Sequence, residues 1–151
     1  MPDPLRFDPL CAADLPTIAA WWTDPWLRRR LEAPTTEWLE YVEETDGVQA
    51  WVVREGDEAV AVIQFEADSE WTTATFDIAV CPTARGRGIG VRAITALLDR
   101  PDVRGLARIE VDVEHDNVAA RRTVEKAGFV LARARPDAEG FVAYLIQPTG
   151  R

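Results

Sequence analysis

The most informative segment of this sequence is a glycine- and arginine-rich loop between a strand-like run and a helix-like run. Residues 71–81 read WTTATFDIAVC, and such a β-branched and aromatic run predicts a strand. The loop RGRGIG follows at residues 85–90, and residues 91–98 then carry apolar side chains at helical spacing. Backbone N–H groups at a helix start attract anions, and glycines there remove the Cβ atoms that would hold a phosphate away. The sequence therefore predicts a phosphate-bearing ligand at this loop.

Two other phosphate-binding motifs fit the loop poorly. A P-loop ends in Gly-Lys-Ser or Gly-Lys-Thr, and the sequence contains neither. Residues 88–93 match the relaxed dinucleotide fingerprint, but the strand before them ends near Cys81, several residues too early. Only 61 residues follow Gly90, which are too few for the rest of a doubly wound sheet. A surface loop without a ligand is the remaining alternative.

The order of the elements indicates one α/β domain over residues 1–151. Helices are expected near residues 15–22, 35–44, 91–98 and 118–127, and Asp14 is expected to cap the first of them. Strands are expected near residues 5–10, 50–54, 60–65, 71–81, 107–113, 129–134 and 141–147. The glycine loop lies in the one βαβ crossover. We therefore predict a mixed α/β (α+β) fold, with a largely antiparallel sheet of about seven strands and about four helices.

Charge and composition argue against several classes of protein. The formal net charge is −9, so the chain lacks the basic balance that nucleic-acid binding requires. One histidine and two cysteines are too few for a multi-histidine or four-cysteine metal centre. No apolar run approaches the length of a membrane span, and the first residues do not resemble a secretory signal. We therefore expect a cytoplasmic protein without metal, membrane or nucleic-acid partners, as a monomer or homodimer.

Two motifs at a fixed separation resemble the GNAT superfamily of acetyl-CoA-dependent N-acetyltransferases. The loop RGRGIG, preceded by the strand end IAVCP, fits that family's pyrophosphate loop Arg/Gln-x-x-Gly-x-Gly/Ala at every specified position. NVAA at residues 117–120 and EKAGF at residues 125–129 fit its second motif. The opening LRFDPLCAADLP is similar to the RimJ-like and aminoglycoside-acetyltransferase-like branches. The resemblance is clearest over residues 51–130 and implies a GNAT-like fold.

The resemblance also implies a chemistry, in which acetyl-CoA is the co-substrate and its acetyl group passes directly to an amine. It implies that exposed backbone N–H groups of Ala79, Val80 and Cys81 hold the pantetheine arm and polarise the thioester. It implies that Asn117 contacts pantetheine or the leaving group, although a helix N-cap alone would also explain this residue. The residues expected to hold the pyrophosphate are Arg85, Gly86, Arg87, Gly88, Ile89, Gly90 and Val91.

Proton transfer requires further groups. A carboxylate suits the removal of a proton from the amine, and Asp77 is the first candidate. Strand alternation places Asp77 on one face with Ala79 and Cys81. Glu66, near the end of the preceding strand, is the second candidate, and solvated carboxylates are the alternative for both. Many members of the family protonate the departing thiolate with a tyrosine, but Val124 stands at that position here, so the general acid stays open.

An acidic segment suggests the acceptor. Residues 31–50 contain six acids and no basic residue, and a carboxylate-lined wall concentrates cations. We expect Trp22, Glu40 and Asp77 to contact a small cationic amine such as an aminoglycoside, whose acetylation would confer antibiotic resistance, or a polyamine. A solvated helix face is an alternative explanation of the acids. Two other functions stay open, a RimJ-like acetyltransferase of protein N-termini and an acetyl-CoA-binding sensor or structural module without efficient turnover.

Overall fold

The computed structural model describes residues 3–148, which form seven β-strands and six α-helices. The strands are β1 (Leu5–Pro9), β2 (Val48–Glu55), β3 (Glu58–Ala67), β4 (Thr73–Val80), β5 (Arg108–Glu114), β6 (Val130–Arg133) and β7 (Phe141–Ile146). The helices are α1 (Leu15–Ala19), α2 (Pro25–Arg30), α3 (Thr36–Glu44), α4 (Ile89–Leu98), α5 (Pro101–Arg104) and α6 (Val118–Lys126). The predicted fold class is confirmed, with two more helices than expected.

The strands form one sheet in the order β1-β2-β3-β4-β5-β7-β6. Strands β1 and β2, β5 and β7, and β6 and β7 pair antiparallel, whereas β4 and β5 pair parallel. Helix α4 connects β4 to β5, which is the crossover that a parallel pair requires. The parallel register covers only Thr73 with Arg108 and Ala74 with Ile109, so the last residues of β4 lie outside it.

The described residues group into two compact units, and the first comprises residues 3–65 and 77–89. Its core contains the fully buried Val52, Val53 and Ile63. An aromatic row crosses the three strands that begin the sheet. The ring of Trp51 lies 5.8 Å from that of Phe7 and 5.8 Å from that of Phe65. Four consecutive residues are buried in each of β2 and β3, at positions 50–53 and 60–63, and such continuous apolar runs are why the sequence predicts both strands.

The second unit comprises residues 66–76 and 90–148. Its core includes the buried face of α4 and the fully buried Tyr144 of β7. The Tyr144 hydroxyl donates to Glu125 Oε2 at 2.8 Å and accepts from Arg121 Nε at 3.0 Å. A buried tyrosine hydroxyl needs such partners, because an unsatisfied polar group in a core is costly.

The two unexpected helices, α2 and α5, both begin at a proline. The sequence predicts a helix stop at residues 23–25, whereas α2 starts at Pro25, with Asp24 as its N-cap. Proline is favoured at the first helical position because the N–H it lacks has no partner there. The predicted cap at Asp14 is wrong: its carboxylate accepts the N–H of Cys11 at 3.0 Å and a bond from Arg54 Nη2 at 2.9 Å.

Candidate active site

The glycine loop has the backbone shape that an anion site requires. A 3-10 turn, Pro82–Ala84, follows β4, and α4 begins at Ile89. Gly86 and Gly88 lie at φ +80° and +70°, which glycine adopts without strain. A Cβ built on either one meets no heavy atom of the described residues within 4 Å. The loop is therefore open on the side where those Cβ atoms would stand, at the start of a ten-residue helix whose first N–H groups lack intrahelical partners.

Carboxylates elsewhere in the first unit hold both arginines of the loop. Arg85 donates to Asp24 through two bonds, Nη1 to Oδ1 at 3.0 Å and Nη2 to Oδ2 at 2.8 Å. These hydrogen bonds from Arg85 lower the pKa of Asp24, although burial opposes them. Arg87 donates to Glu58 Oε1 at 3.1 Å and lies 3.6 Å from Glu55 Oε1. No sequence pattern predicts these ion pairs, because their partners are 29 to 61 residues apart in the chain.

Two other residues predicted to bind the coenzyme also have structural roles. A Cβ on Gly90 would lie 3.0 Å from Thr123 Cγ2, so close packing of α4 on α6 explains this glycine. The Asn117 side chain accepts the N–H of Ala120 at 3.2 Å and therefore caps α6. Neither role excludes a contact with coenzyme, so both assignments stay predictions.

Backbone hydrogen bonds at the end of β4 reduce the number of N–H groups there that could bind the coenzyme. The N–H of Cys81 donates to the carbonyl of Val60 at 2.8 Å, so the predicted exposed N–H at Cys81 is wrong. Because N–H directions alternate along a strand, Ala79 directs its N–H toward β3 as well, whereas Val80 directs its N–H to the opposite edge. Val80 is therefore the one of the three predicted donors whose N–H faces away from β3.

A cavity of about 310 Å³ lies within the first unit, beside β3 and β4. Its lining residues are Trp22, Leu31, Glu32, Ala33, Pro34, Thr35, Trp38, Val62, Gln64, Asp77 and Ala79. Val62 and Gln64 are two residues apart on β3, and Asp77 and Ala79 are two apart on β4, so each pair shares one strand face. The predicted shared face of Asp77 and Ala79 is therefore found, and it opens on this cavity.

Hydrogen bonds fix the aromatic wall of the cavity. Trp22 Nε1 donates to the Leu31 carbonyl at 3.0 Å, which ties the segment after α2 to the preceding turn. Trp38 Nε1 donates to Gln64 Oε1 at 2.7 Å, which ties α3 to β3. Both indole N–H groups are therefore satisfied by the protein, and the rings contribute apolar and π surface to the lining.

The charge of the lining is purely negative. Glu32 and Asp77 are the two ionisable residues among the eleven, and no lining residue is basic. A carboxylate-lined cavity with aromatic walls attracts a cation, both through charge and through the faces of the rings. The arrangement suits an amine that arrives protonated.

Most but not all of the predicted acceptor residues meet at this cavity. Trp22 and Asp77 line it, whereas Glu40 is exposed on α3 and is not a lining residue. Glu40 follows Trp38 by two positions, about 200° around the helix, so the two side chains diverge. Glu66 on β3 does not line the cavity either. Glu32 does, and its place in the acidic run was the one available signal.

Three further predictions concern the general acid, a metal site and a membrane-spanning helix. Val124 is buried and apolar, so it supplies no proton to a leaving thiolate. Within residues 3–148, no group of three or more His, Cys, Asp and Glu side chains is arranged to hold a metal ion. The helices within residues 3–148 are all too short or too polar to cross a membrane.

Comparison with known proteins gives consistent similarities. The model of the Acetyltransferase (GNAT) family matches residues 15–129. The uncharacterized N-acetyltransferase YfmK of Bacillus subtilis is 23% identical over 144 residues, which cover 94% of this chain and 96% of that protein.

Solved structures share the fold at low sequence identity. AAC(6')-Ib in complex with paromomycin and acetyl-CoA superposes with a TM-score of 0.76 at 19% identity, over 98% of this chain and 95% of that one. A chimera of the spermidine N-acetyltransferase SpeG from Vibrio cholerae and hSSAT also reaches 0.76, at 18% identity over 97% and 96% of the two chains. At these identities the likeness shows the fold.

Proposed function

Because this chain belongs to the GNAT family of acetyltransferases, we propose that it transfers the acetyl group of acetyl-CoA directly to a primary amine of a small cationic molecule, such as an aminoglycoside or a polyamine. The observation that carries the proposal is the cavity lined by Glu32, Asp77 and two tryptophans, with no basic residue. It lies beside β4, the strand that leads into the glycine loop. The aminoglycoside and spermidine acetyltransferases among the structural neighbours support the choice of acceptor.

The coenzyme fits the residues that the loop provides. Acetyl-CoA supplies an acetyl thioester and carries a pyrophosphate. Backbone N–H groups at residues 86–91 and the guanidinium groups of Arg85 and Arg87 would hold that pyrophosphate. Val80 would donate its N–H to the thioester oxygen, where negative charge develops during attack. Asn117 would contact the pantetheine arm or the departing sulfur.

Asp77 is the proposed general base. Its carboxylate lines the cavity together with Ala79 on the same face of β4. An ammonium bound there would give its proton to Asp77, directly or through one water molecule, and the neutral amine would then attack. Glu66 is the second candidate for this task. With Val124 at the position of the family's tyrosine, a water molecule would pass the remaining amine proton to the coenzyme thiolate as the C–S bond breaks.

Replacement of Asp77 by Asn tests the proposal, and Glu66→Gln tests the second candidate for the general base. Thiol release from acetyl-CoA would be followed with aminoglycosides, polyamines, free amino acids and short peptides that carry a free N-terminus. We expect turnover of one cationic class, and Asp77→Asn should lower kcat by about 100-fold or more while acetyl-CoA still binds. A loss of kcat of that size in Glu66→Gln, with kcat unchanged in Asp77→Asn, would assign the general base to Glu66.

Other outcomes point to the other functions. Turnover of peptides alone would identify a RimJ-like acetyltransferase of protein N-termini. No turnover, with acetyl-CoA still raising the melting temperature, would identify a coenzyme-binding module. No turnover and no thermal shift would refute the coenzyme assignment itself.

A further inference from the structure

One carboxylate of the first unit has two tasks at once. Asp24 accepts the N–H of Leu27 at 3.0 Å and thereby caps α2. The same carboxylate holds Arg85 of the glycine loop through two bonds of 3.0 and 2.8 Å. The two residues are 61 positions apart in the chain, so the fold and not the local sequence creates this pair.

We infer that Asp24 is a positioning residue that holds the Arg85 guanidinium ready for a phosphate of the coenzyme. The inference rests on the proposed function, since it requires a phosphate-bearing ligand at the loop. A guanidinium has five N–H donors in a planar fork, and the pair with Asp24 uses two of them. The Nε–H and the outer Nη hydrogens stay available to a second acceptor, and phosphate suits that geometry.

The support for Arg85 comes from a carboxylate that is itself fixed. Asp24 is anchored by the Leu27 N–H and is followed by Pro25, whose ring restricts the backbone. Its side chain is 18% exposed, against 40% for Arg85. A long arginine side chain loses rotamer freedom when it binds a ligand, and prior fixation reduces that cost.

Asp24 can strengthen coenzyme binding only if its repulsion of the phosphate is weaker than the gain from a fixed Arg85 guanidinium. The negative charge of Asp24 repels a phosphate that approaches Arg85. Water and salt screen that repulsion, because the Arg85 side chain is substantially exposed. The gain from a preformed, correctly oriented fork is not screened, so we expect Asp24 to strengthen coenzyme binding.

Arg87 offers an internal comparison. It bonds Glu58 through one bond of 3.1 Å, and the Glu58 side chain is 52% exposed. Arg87 Nε also donates to the Ala84 carbonyl at 3.5 Å, and Arg87 Nη1 lies 3.6 Å from Glu55 Oε1, so three separate groups share this guanidinium. Arg85 is instead held by two bonds to one carboxylate, so a single substitution, at Asp24, tests the support of this arginine.

A double-mutant cycle tests the inference through the dissociation constant of acetyl-CoA, measured by calorimetry. Asp24→Asn keeps an oxygen that can cap α2 but loses the charged two-bond pair, and it should raise Kd about 5- to 10-fold. In the Arg85→Gln background the same change should alter Kd less than 2-fold, because Asp24 acts through Arg85. Glu139→Gln, which removes one negative charge from the β6–β7 hairpin, should leave Kd unchanged. Melting curves without ligand check that each variant is folded.

Three results would overturn the inference. Tighter binding by Asp24→Asn would show that the carboxylate competes with the phosphate. An equal loss in the Arg85→Gln background would show that Asp24 acts through α2 instead. An unchanged Kd in Asp24→Asn would show that the pair does not contribute. Failure of the wild-type protein to bind acetyl-CoA at all would instead refute the proposed function, and the inference with it.

Discussion

Replacement of Gly88 by Ala separates the backbone requirement of the loop from its role in binding. Gly88 lies at φ +70°, and this left-handed conformation costs alanine about 1–2 kcal/mol. A Cβ there meets no heavy atom of the described residues within 4 Å, so no clash adds to the strain. The free energy of unfolding should therefore fall by about 1–2 kcal/mol, and each 1 kcal/mol lowers Tm by about 2–4 °C in a chain of this size.

Gly140 is the matched control for Gly88. It lies at φ +90° in the β6–β7 hairpin, and a Cβ there also meets no described heavy atom within 4 Å. Gly140→Ala should therefore lose a similar amount of stability. Only Gly88→Ala places a methyl group on the open side of the coenzyme loop, so only this variant should bind acetyl-CoA more weakly, by about 10-fold.

Two measurements decide between the outcomes. Thermal unfolding without ligand reports the strain, and calorimetric titration with acetyl-CoA reports binding. Equal affinities in wild type, Gly88→Ala and Gly140→Ala would refute the loop as the phosphate site. A Gly88→Ala protein as stable as the wild type would refute the strain argument, whatever its affinity.

Three further predictions follow from single side chains. Glu32→Gln should raise KM for a cationic acceptor about 5- to 10-fold in steady-state kinetics, with little change in kcat. The difference in KM between wild type and variant should become smaller as the salt concentration rises, because salt screens the attraction. Asp68 accepts the backbone N–H of Thr72 at 2.6 Å, which lowers the pKa of Asp68. Its folded pKa lies below its unfolded value, so its contribution to stability is present above about pH 4 and is lost as the pH falls through the folded pKa. Urea unfolding between pH 3 and pH 7 should therefore show a shallower acid loss in Asp68→Asn, and equal slopes would contradict this. Tyr144→Phe removes the hydroxyl that bonds both Glu125 and Arg121 and should cost about 1–2 kcal/mol in urea unfolding, and a loss below about 0.5 kcal/mol would contradict the importance of these bonds.

The element order was predictable because it depends on local periodicity. Continuous apolar runs mark β2 and β3, apolar alternation marks β5, and helical spacing marks α3, α4 and α6. The sequence therefore predicts each of them within a few residues of its bounds. Helix α2 was missed because an Asp-Pro step can end one helix or begin the next. The hydrogen bond from the Leu27 N–H to Asp24 shows that this step begins a helix. The residue types alone do not show whether that bond forms.

The candidate site was only partly predictable, because its parts meet through long-range contacts. The loop and Asp77 carry signals within a single segment. The cavity wall depends on the bond between Trp38 and Gln64, which are 26 residues apart, and the orientation of Arg85 depends on Asp24. The position of Glu40 outside the cavity lining has a different cause, since a charge count along α3 does not say which helix face a carboxylate occupies.

If this acetyltransferase acts on a cationic amine bound in the cavity of Asp77 and Glu32, that amine gains an acetyl group. We would therefore measure the mass of the acceptor after incubation of acetyl-CoA with the wild-type protein and a polyamine or an aminoglycoside. We expect one added acetyl group with stoichiometric release of coenzyme thiol, and a rate that falls at least about 100-fold in Asp77→Asn. Acceptors of both classes that stay unmodified, with protein that binds acetyl-CoA, would refute a cationic amine as the acceptor.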